Sequence, residues 1–250
     1  MTDVEVPESH PRYESLLTRH RIEAGVEKGI TSKQGLIAQG RGEAFDYLLG
    51  ERTIESAREA ERVAAAYLLL AEHPVLSVNG NVAALCPGEM VELAEASGAA
   101  LEVNLFNRTP ERMQAIVDHL REHGAAEVLG LTADGRIPDL DHERAKVDRE
   151  GIGTADVVLV PLEDGDRAEA LAAMGKTELV VDLNPMSRSA RSATVPIVDN
   201  IVRAVPNVTA SVRDLRGASR EELEAIVESF DREAALADAE RAIRSGSESA

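Results

Sequence analysis

The segment from Leu179 to Asn200 holds the densest set of residues able to do chemistry in this chain. A short apolar run, Leu179-Val180-Val181, breaks off at Asp182-Leu183-Asn184-Pro185. A loop with Arg188, Arg191 and the hydroxyls of Ser187, Ser189 and Ser192 follows, and a second apolar run closes at Asp199-Asn200. A buried strand that stops at hydrogen-bonding side chains is how an open α/β sheet presents a ligand at its carboxyl edge. Guanidinium forks and short neutral donors in the next loop are what a phosphate group requires. A single Ser-Arg pair reads equally as a solvated surface loop; the combination, closed by Asp199-Asn200 at the next strand end, points to a nucleotide site.

Other clusters carry weaker signals. Gly40-Arg41-Gly42-Glu43 sets an arginine between two glycines, read here as a turn ahead of a short helix over Glu43 to Leu49. There a backbone and a guanidinium approach an anion together, or the turn simply caps the helix. Glu163-Asp164-Gly165-Asp166-Arg167 offers carboxylates to Mg²⁺, although Asp166 serves equally as a helix cap. The first strand runs into Ser77-Val78-Asn79-Gly80-Asn81, where a dinucleotide-binding fold carries GxGxxG. Only Gly80 of that pattern is present, so the nicotinamide signal is weak. No GxxxxGK[ST] or HExxH occurs, and no protein metal site is expected. A lone His142 is more often solvated than a ligand.

The elements that must position these residues alternate. Helical spacing covers Pro11 to Glu27, Thr53 to Glu72 with Thr53 as N-cap, Pro87 to Ala96, Thr109 to His123, Asp166 to Met174, and Ser219 to about Ser245, the last opening on a Ser219/Glu222 capping box. Strands are predicted at Val75–Val78, Leu101–Phe106, Glu127–Leu131, Asp156–Val160, Leu179–Asp182 and Val195–Val198. The pattern is α/β, a Rossmann-like and mostly parallel sheet flanked by helices. A helical arm over 1–72, a core over 73–206 and a C-terminal helical segment over 207–250 make up one domain. The irregular stretch from Thr132 to Gly153 is read as a mobile active-site loop.

Composition narrows the partners. Net charge is −18 over 250 residues, and Lys28, Lys33, Lys146 and Lys176 are the only lysines among 27 basic residues. Self-repulsion of that size weakens a compact state in dilute buffer and is screened at high salt, where the Debye length is roughly 3 Å at 1 M. Adaptation to molar salt is therefore expected, and nucleic acid or an anionic membrane is not an expected partner. The acidic N-terminus MTDVEVPESH lacks the order of a signal peptide and no apolar run reaches membrane-spanning length, so a cytoplasmic protein is expected. Cys86, the single cysteine, lies in an apolar run and reads as a buried, inert thiol.

Several strings together resemble the archaeal phosphopantothenate synthetase (4-phosphopantoate–β-alanine ligase) family: HPRY, SLLTR, KGITSKQGLIAQGRGEAFDYLLGERT, SVNGNVAAL, LEVNLFNRT, HERAKVD, ADVVLVPLEDGDRAEALAAMGK, VDLNPMSRSARSA and IVDNIVRA. The resemblance runs from about His10 to Pro206. It implies a Rossmann-like homodimer that joins 4-phosphopantoate to β-alanine with ATP and Mg²⁺, through an acyl-adenylate, in coenzyme A synthesis. Motif by motif it places ATP on Arg19 and Arg41, on Asp182, Leu183 and Asn184, on Arg188 and Ser189, and on Asp199, Asn200 and Ile201. Arg41 and Arg188 are then the expected catalytic cations. For the pantoate moiety the candidates are Asn79 and Asn81. For its phosphate they are Lys28, Arg12, Arg144 and, preferred, Lys146, with His142 beside it. An NAD(P)-dependent oxidoreductase or a nucleotide-binding module without turnover would share this architecture.

Overall fold

The computed structural model describes residues 6–161 and 165–246, so Glu163 and Asp164 of the acidic cluster lie outside the described residues. Three helices come first: α1 (Tyr13–Glu27), α2 (Lys33–Leu49) and α3 (Glu55–Leu70). Then β1 (Pro74–Val78) leads into α4 (Gly80–Leu85) and α5 (Pro87–Ser97), and β2 (Ala100–Val103) into α6 (Pro110–Glu122). A small hairpin of β3 (Gly135–Arg136) and β4 (Lys146–Val147) precedes β5 (Val157–Pro161) and α7 (Gly165–Ala173). The chain continues through β6 (Thr177–Val181), α8 (Arg188–Ser192), β7 (Val195–Ile197), α9 (Ile201–Leu215), α10 (Arg220–Glu228) and α11 (Arg232–Ser245).

Five strands form one parallel sheet in the order β2-β1-β5-β6-β7. From β1 the chain steps outward to β2, then returns to the far side of β1 and continues β5, β6, β7. The direction of winding therefore reverses between β1 and β5, and the loops leaving their carboxyl ends diverge to open a crevice. Alternation along the strands sorts the core. Leu76, Val78, Leu159, Leu179 and Val181 face the layer of α3, α5 and α9, while Val75, Val158 and Val160 face α7 and the 137–155 segment. Ile22 of α1 and Ile30 of the turn between α1 and α2 share the larger cluster with α9 and α10. With aromatics at only 2 % of residues, alanine, valine and leucine fill this core, and small side chains such as Ala60 and Ala64 let α3 sit close. No helix among the described residues is long and apolar enough to cross a membrane.

Helix and strand signals near termini were read well. Thr109 caps α6 and Pro110 occupies its first position, Pro87 opens α5, Gly98 ends it at φ 77°, and the Ser219/Glu222 capping box is formed. Other expected elements differ in the fold. Gly40-Arg41-Gly42 is not a turn; it lies inside α2, which begins ten residues before the expected start. The glycines of this helix serve close approach. A Cβ at Gly35 would stand 2.4 Å from Asn81 Oδ1, and one at Gly42 would stand 3.2 Å from Asn200 Nδ2. Thr53 does not cap α3; its hydroxyl donates to Asp199 Oδ2 at 2.6 Å instead. Glu127–Leu131 is not a strand, only a single bridge from Leu129 to Glu102.

The stretch from Thr132 to Gly153 is a folded unit rather than a mobile loop. Ile137, Leu140, Ala145, Val147 and Ile152 are buried in their own cluster. Glu102 reaches up from β2 to accept from the backbone N–H groups of Asp148 (3.0 Å) and Ile152 (2.6 Å), and Asp148 accepts from Gly130 N at 2.7 Å. Buried carboxylates that satisfy irregular backbone replace a missing ladder. The loop after Pro185 contains the short helix α8, capped by Ser187. The last long helix is two, α10 and α11, with Asp231 capping the second, and α9 precedes them. Pro206 inside α9, a residue that normally stops a helix, hid that element from sequence reading.

Candidate functional site

A cleft of about 1070 Å³ opens over the carboxyl edge of the sheet where the winding reverses. Asn79 ends β1 and spans the reversal, its Nδ2 donating to Pro161 O at 3.0 Å while its Oδ1 accepts from Asn81 N and Val82 N as the cap of α4. Asn81 lies just behind, accepting from Thr31 Oγ1 at 2.5 Å and donating to Gly35 O at 3.1 Å. Both asparagines line the cleft, with their amide groups occupied in joining β1, β5 and the start of α2.

The opposite wall is the turn after β6. Asp182 Oδ1 accepts from Asn184 N (3.0 Å), its Oδ2 from Ser187 Oγ (2.5 Å), and Asn184 Oδ1 accepts from Met186 N (3.0 Å). Successive Asx turns of this kind fix the loop so that Asp182, Leu183, Asn184, Arg188 and Ser189 all face the cleft. Burial pushes the Asp182 carboxyl above its ordinary value, and the Ser187 hydrogen bond, the backbone donors and the charge of Arg41 pull it back. Arg41 comes from the middle of α2 and also lines the cleft; it has no hydrogen bond or ion pair among the described residues. Arg188 crosses over Gly165 to pair with Asp166 at 2.6 Å and Glu169 at 3.6 Å, both exposed partners that water can replace. Arg191, in the same short helix, is exposed and does not line the cleft.

Other residues picked from sequence stand elsewhere. Arg19 lies outside the cleft, gripping Glu43 with Nε at 2.9 Å and Nη2 at 2.6 Å, and Arg12 joins the same carboxylate at 2.8 Å. These hydrogen bonds hold the Glu43 carboxyl below its ordinary value. Asp199 and Asn200 are buried behind the wall: Asn200 caps α9 and donates to Asp46 Oδ2 at 3.0 Å, and Ile201 is enclosed beside it. His142 packs its ring on Phe106 at 5.1 Å, and Lys146 is tied to Glu143 at 2.8 Å; neither lines the cleft. Arg144, between them in sequence, does.

Residues that sequence reasoning did not select also line the cleft, among them Phe106, Arg112 and the Glu240–Arg244 stretch of α11. Arg112 carried a legible signal. A cation in the first turn of a helix opposes the macrodipole, so its placement there favours a role over local stability. Nothing local marked α11, whose approach to α2 depends wholly on packing. Among the described residues no three His, Cys, Asp or Glu side chains form a metal-binding group, and Cys86 is fully buried with its thiol pushed up by desolvation.

Beneath the cleft lies a buried charge network. Arg203 of α9 bonds Asp46 at 2.6 Å and Asp199 at 2.7 Å, and reaches Glu14 at 3.1 Å. Burial opposes its charge, yet the hydrogen bonds and charges of Asp46 and Asp199 outweigh that and raise its pKa. Glu61 lies close by on α3, its carboxyl raised from 4.5 to about 8 by burial first and the Asp199 charge second. Between those two values the folded chain keeps a proton that the unfolded chain has lost. The stability from a neutral Glu61 is therefore complete below about pH 4.5 and is lost as pH rises to about 8. Glu61→Gln should flatten the fall in melting temperature between pH 5 and 8; parallel curves for variant and wild type would show that Glu61 does not titrate there.

Comparison with known proteins fits this chemistry. A family model described as phosphopantothenate/pantothenate synthetase matches residues 56–246. The chain is 60 % identical over 236 residues to the 4-phosphopantoate–beta-alanine ligase of Thermococcus kodakarensis, covering 94 % of this chain and 90 % of that one. Against the 4-phosphopantoate–beta-alanine ligase of Methanosarcina mazei it is 55 % identical over 239 residues, covering 96 % and 93 %.

Proposed function

From the premise that this chain belongs to the phosphopantothenate/pantothenate synthetase family, we propose how its cleft works as an ATP-dependent 4-phosphopantoate–β-alanine ligase of archaeal coenzyme A biosynthesis. The observation that carries the reading is Arg41, a guanidinium with no hydrogen bond or ion pair among the described residues, which lines a cleft at the sheet's reversal point together with the Asp182–Ser189 turn. A cation left unpaired in so acidic a chain has its partner in the ligand. The carboxylate of 4-phosphopantoate attacks the α-phosphorus of ATP, the bond to pyrophosphate breaks, and an acyl-adenylate forms. The free amine of β-alanine then attacks the acyl carbon and AMP leaves, giving 4′-phosphopantothenate. Chemistry of this kind is governed by positioning and by stabilising charge on phosphoryl oxygens. Arg41 and Arg188 meet that charge; for Arg188, ATP phosphates displace Asp166 and Glu169. Asp182, Leu183, Asn184 and Ser189 hold the nucleotide's polar edges.

Arg19, Asp199, Asn200 and Ile201 support the nucleotide from outside the cleft lining: Asn200 stands 3.2 Å from where a Gly42 Cβ would be, directly behind Arg41. Mg²⁺ is held chiefly by phosphate oxygens and water in such sites, in keeping with the sparse carboxylates of the cleft, and balances pyrophosphate charge when bound. Nothing in the cleft favours a nicotinamide reading.

Incubation with MgATP, 4-phosphopantoate and β-alanine in about 2 M KCl, where surface charge is fully screened, should release AMP only when both other substrates are present. ADP in place of AMP would replace the adenylate with an acyl phosphate, and no ATP consumption would refute the ligase. The charge of −18 also supports adaptation to molar salt in the cytoplasm, so melting temperature should climb between 0.1 and 2 M KCl. A homodimer fits the exposed Ile37, Tyr47 and Leu48 on one face of α2; a monomer mass by light scattering would exclude it.

A further inference from the structure

Arg112 is a half-buried cation without a carboxylate. Its Nε donates to Ile30 O at 3.1 Å and its Nη1 to Asn107 O at 3.2 Å, so two backbone carbonyls from opposite sides hold the guanidinium plane. No acidic side chain pairs with it among the described residues, and burial alone lowers its pKa. By contrast Arg12, Arg19, Arg188 and Arg203 all grip carboxylates. Gly80 permits this close packing: a Cβ there would stand 2.5 Å from Arg112 Nη2 and 2.6 Å from Ile30 O.

The surroundings complete an anion site. Arg112 and Arg144 line the cleft together with Thr31 and Ser32, where α2 begins, and Arg112 bonds Ile30 beside Thr31. Ser32 is the N-cap of this seventeen-residue helix and lines the cleft, and its side chain makes no capping hydrogen bond, while the Gly35 N–H is taken by Ser32 O at 2.8 Å. Asn104 holds the Arg144 backbone in place through its carbonyl at 3.2 Å. Arg41 and Arg188, assigned above to the ATP phosphates, line the same cleft, with Arg41 further along α2. Helix α2 itself sets the spacing, since Ser32 and Arg41 are nine residues apart, on the order of 13 Å at 1.5 Å per residue. A ligand with a phosphate at one end and a carboxylate at the other, laid between them, presents its carboxylate to the ATP end.

We propose that Arg112, supported by Arg144 and the start of α2, is the receptor for the phosphate of 4-phosphopantoate and the residue that selects the phosphorylated acid over pantoate. The assignment rests on the ligase reading. It places selectivity in a bidentate, fork-shaped donor fixed before substrate arrives.

The test is steady-state kinetics with ATP and 4-phosphopantoate varied separately, and pantoate as competitor substrate. Arg112→Met should raise KM for 4-phosphopantoate by roughly 10- to 150-fold, the range for one or two charge-assisted hydrogen bonds. KM for ATP should stay within about twofold, and the preference over pantoate should collapse by a similar factor. Arg112→Lys, which retains charge and the option of one carbonyl bond but loses the fork, should fall between; it also serves as the readout if the methionine variant does not fold. Arg41→Ala should show the crossed pattern, with KM for ATP raised. Equal rises in both KM values with a lower melting temperature would reduce Arg112 to a brace between Ile30 and Asn107 and overturn the proposal. So would an unchanged preference for the phosphorylated acid in both Arg112 variants. Failure of the wild type to form AMP is a different result, which refutes the ligase reading instead.

Discussion

Arg203→Met is expected to lower stability by about 3–5 kcal/mol, the cost of removing one partner from a buried ion pair and leaving the other charge uncompensated. Two charges are orphaned here, not one. Asp46 and Asp199 are almost inaccessible, with side-chain exposures of 2 % and 1 %, and Arg203 itself is at 10 %. Solvent screening therefore offers little relief. For a chain of this size the loss corresponds to roughly 10 °C or more in melting temperature. Its pH dependence distinguishes the mechanism from a simple packing defect. Without Arg203, burial raises both carboxyl groups further above their ordinary 3.8, so they take up protons on folding at moderately acidic pH. The deficit should therefore be largest near neutrality and shrink as pH falls toward 5. A deficit of the same size at pH 5 and pH 7.5 would mean that lost packing, not orphaned charge, is responsible. The consequence extends to the cleft, because Asp46 lies on α2 five residues after Arg41, and Asn200 touches the same carboxylate. The network holds the helix that delivers Arg41 to the cleft.

Arg41→Ala is expected to reduce kcat/KM by roughly ten- to a hundredfold or more, since a hydrogen bond to a charged phosphate oxygen contributes about 1.5–3 kcal/mol. Stability should hardly change, because Arg41 makes no hydrogen bond or ion pair among the described residues and an exposed helical Arg→Ala substitution costs only tenths of a kcal/mol. Arg188→Ala should be milder in binding: free ATP must displace Asp166 and Glu169, so part of what the variant loses is offset by a competition it no longer faces. If Arg41→Ala keeps wild-type kcat/KM while Arg188→Ala does not, the nucleotide phosphates lie against α8 alone and the role given to α2 is wrong. Rates should be compared at fixed salt, because a site among so many acidic residues is sensitive to screening.

Much of this was local and therefore legible. The β6 strand and its abrupt end at Asp182 could be read from an apolar run meeting Asp-Leu-Asn-Pro, because both the burial period and the turn chemistry act over a few residues. The caps at Thr109 and Ser219 and the proline starts of α5 and α6 belong to the same class. So does the overall alternation, which specifies a parallel sheet before any contact is known. The family strings extended this reach to the reaction, since they carry chemistry that composition alone does not.

What tertiary structure decided is which charged group faces the ligand and which faces another residue. Arg19 and Arg41 looked alike in sequence, yet the first meets Glu43 and the second meets open cleft. Asp199-Asn200 looked like a strand-end ligand pair; it is buried against Asp46 and Arg203, with Asn200 bonded to a residue 154 positions away. The 132–153 segment had no periodicity to read because its backbone is satisfied by Glu102 and Asp148 rather than by a ladder. Arg112 showed in sequence only its place in a helix's first turn; that its guanidinium is held between Ile30 and Asn107, from separate elements, is set by packing. Secondary structure follows from neighbours a few bonds away, whereas the partner of a side-chain charge is set by packing between distant segments. In a chain with so many carboxylates, the sequence determined the sheet and the chemistry it offers; the fold decided which cations were left without a partner to carry it out.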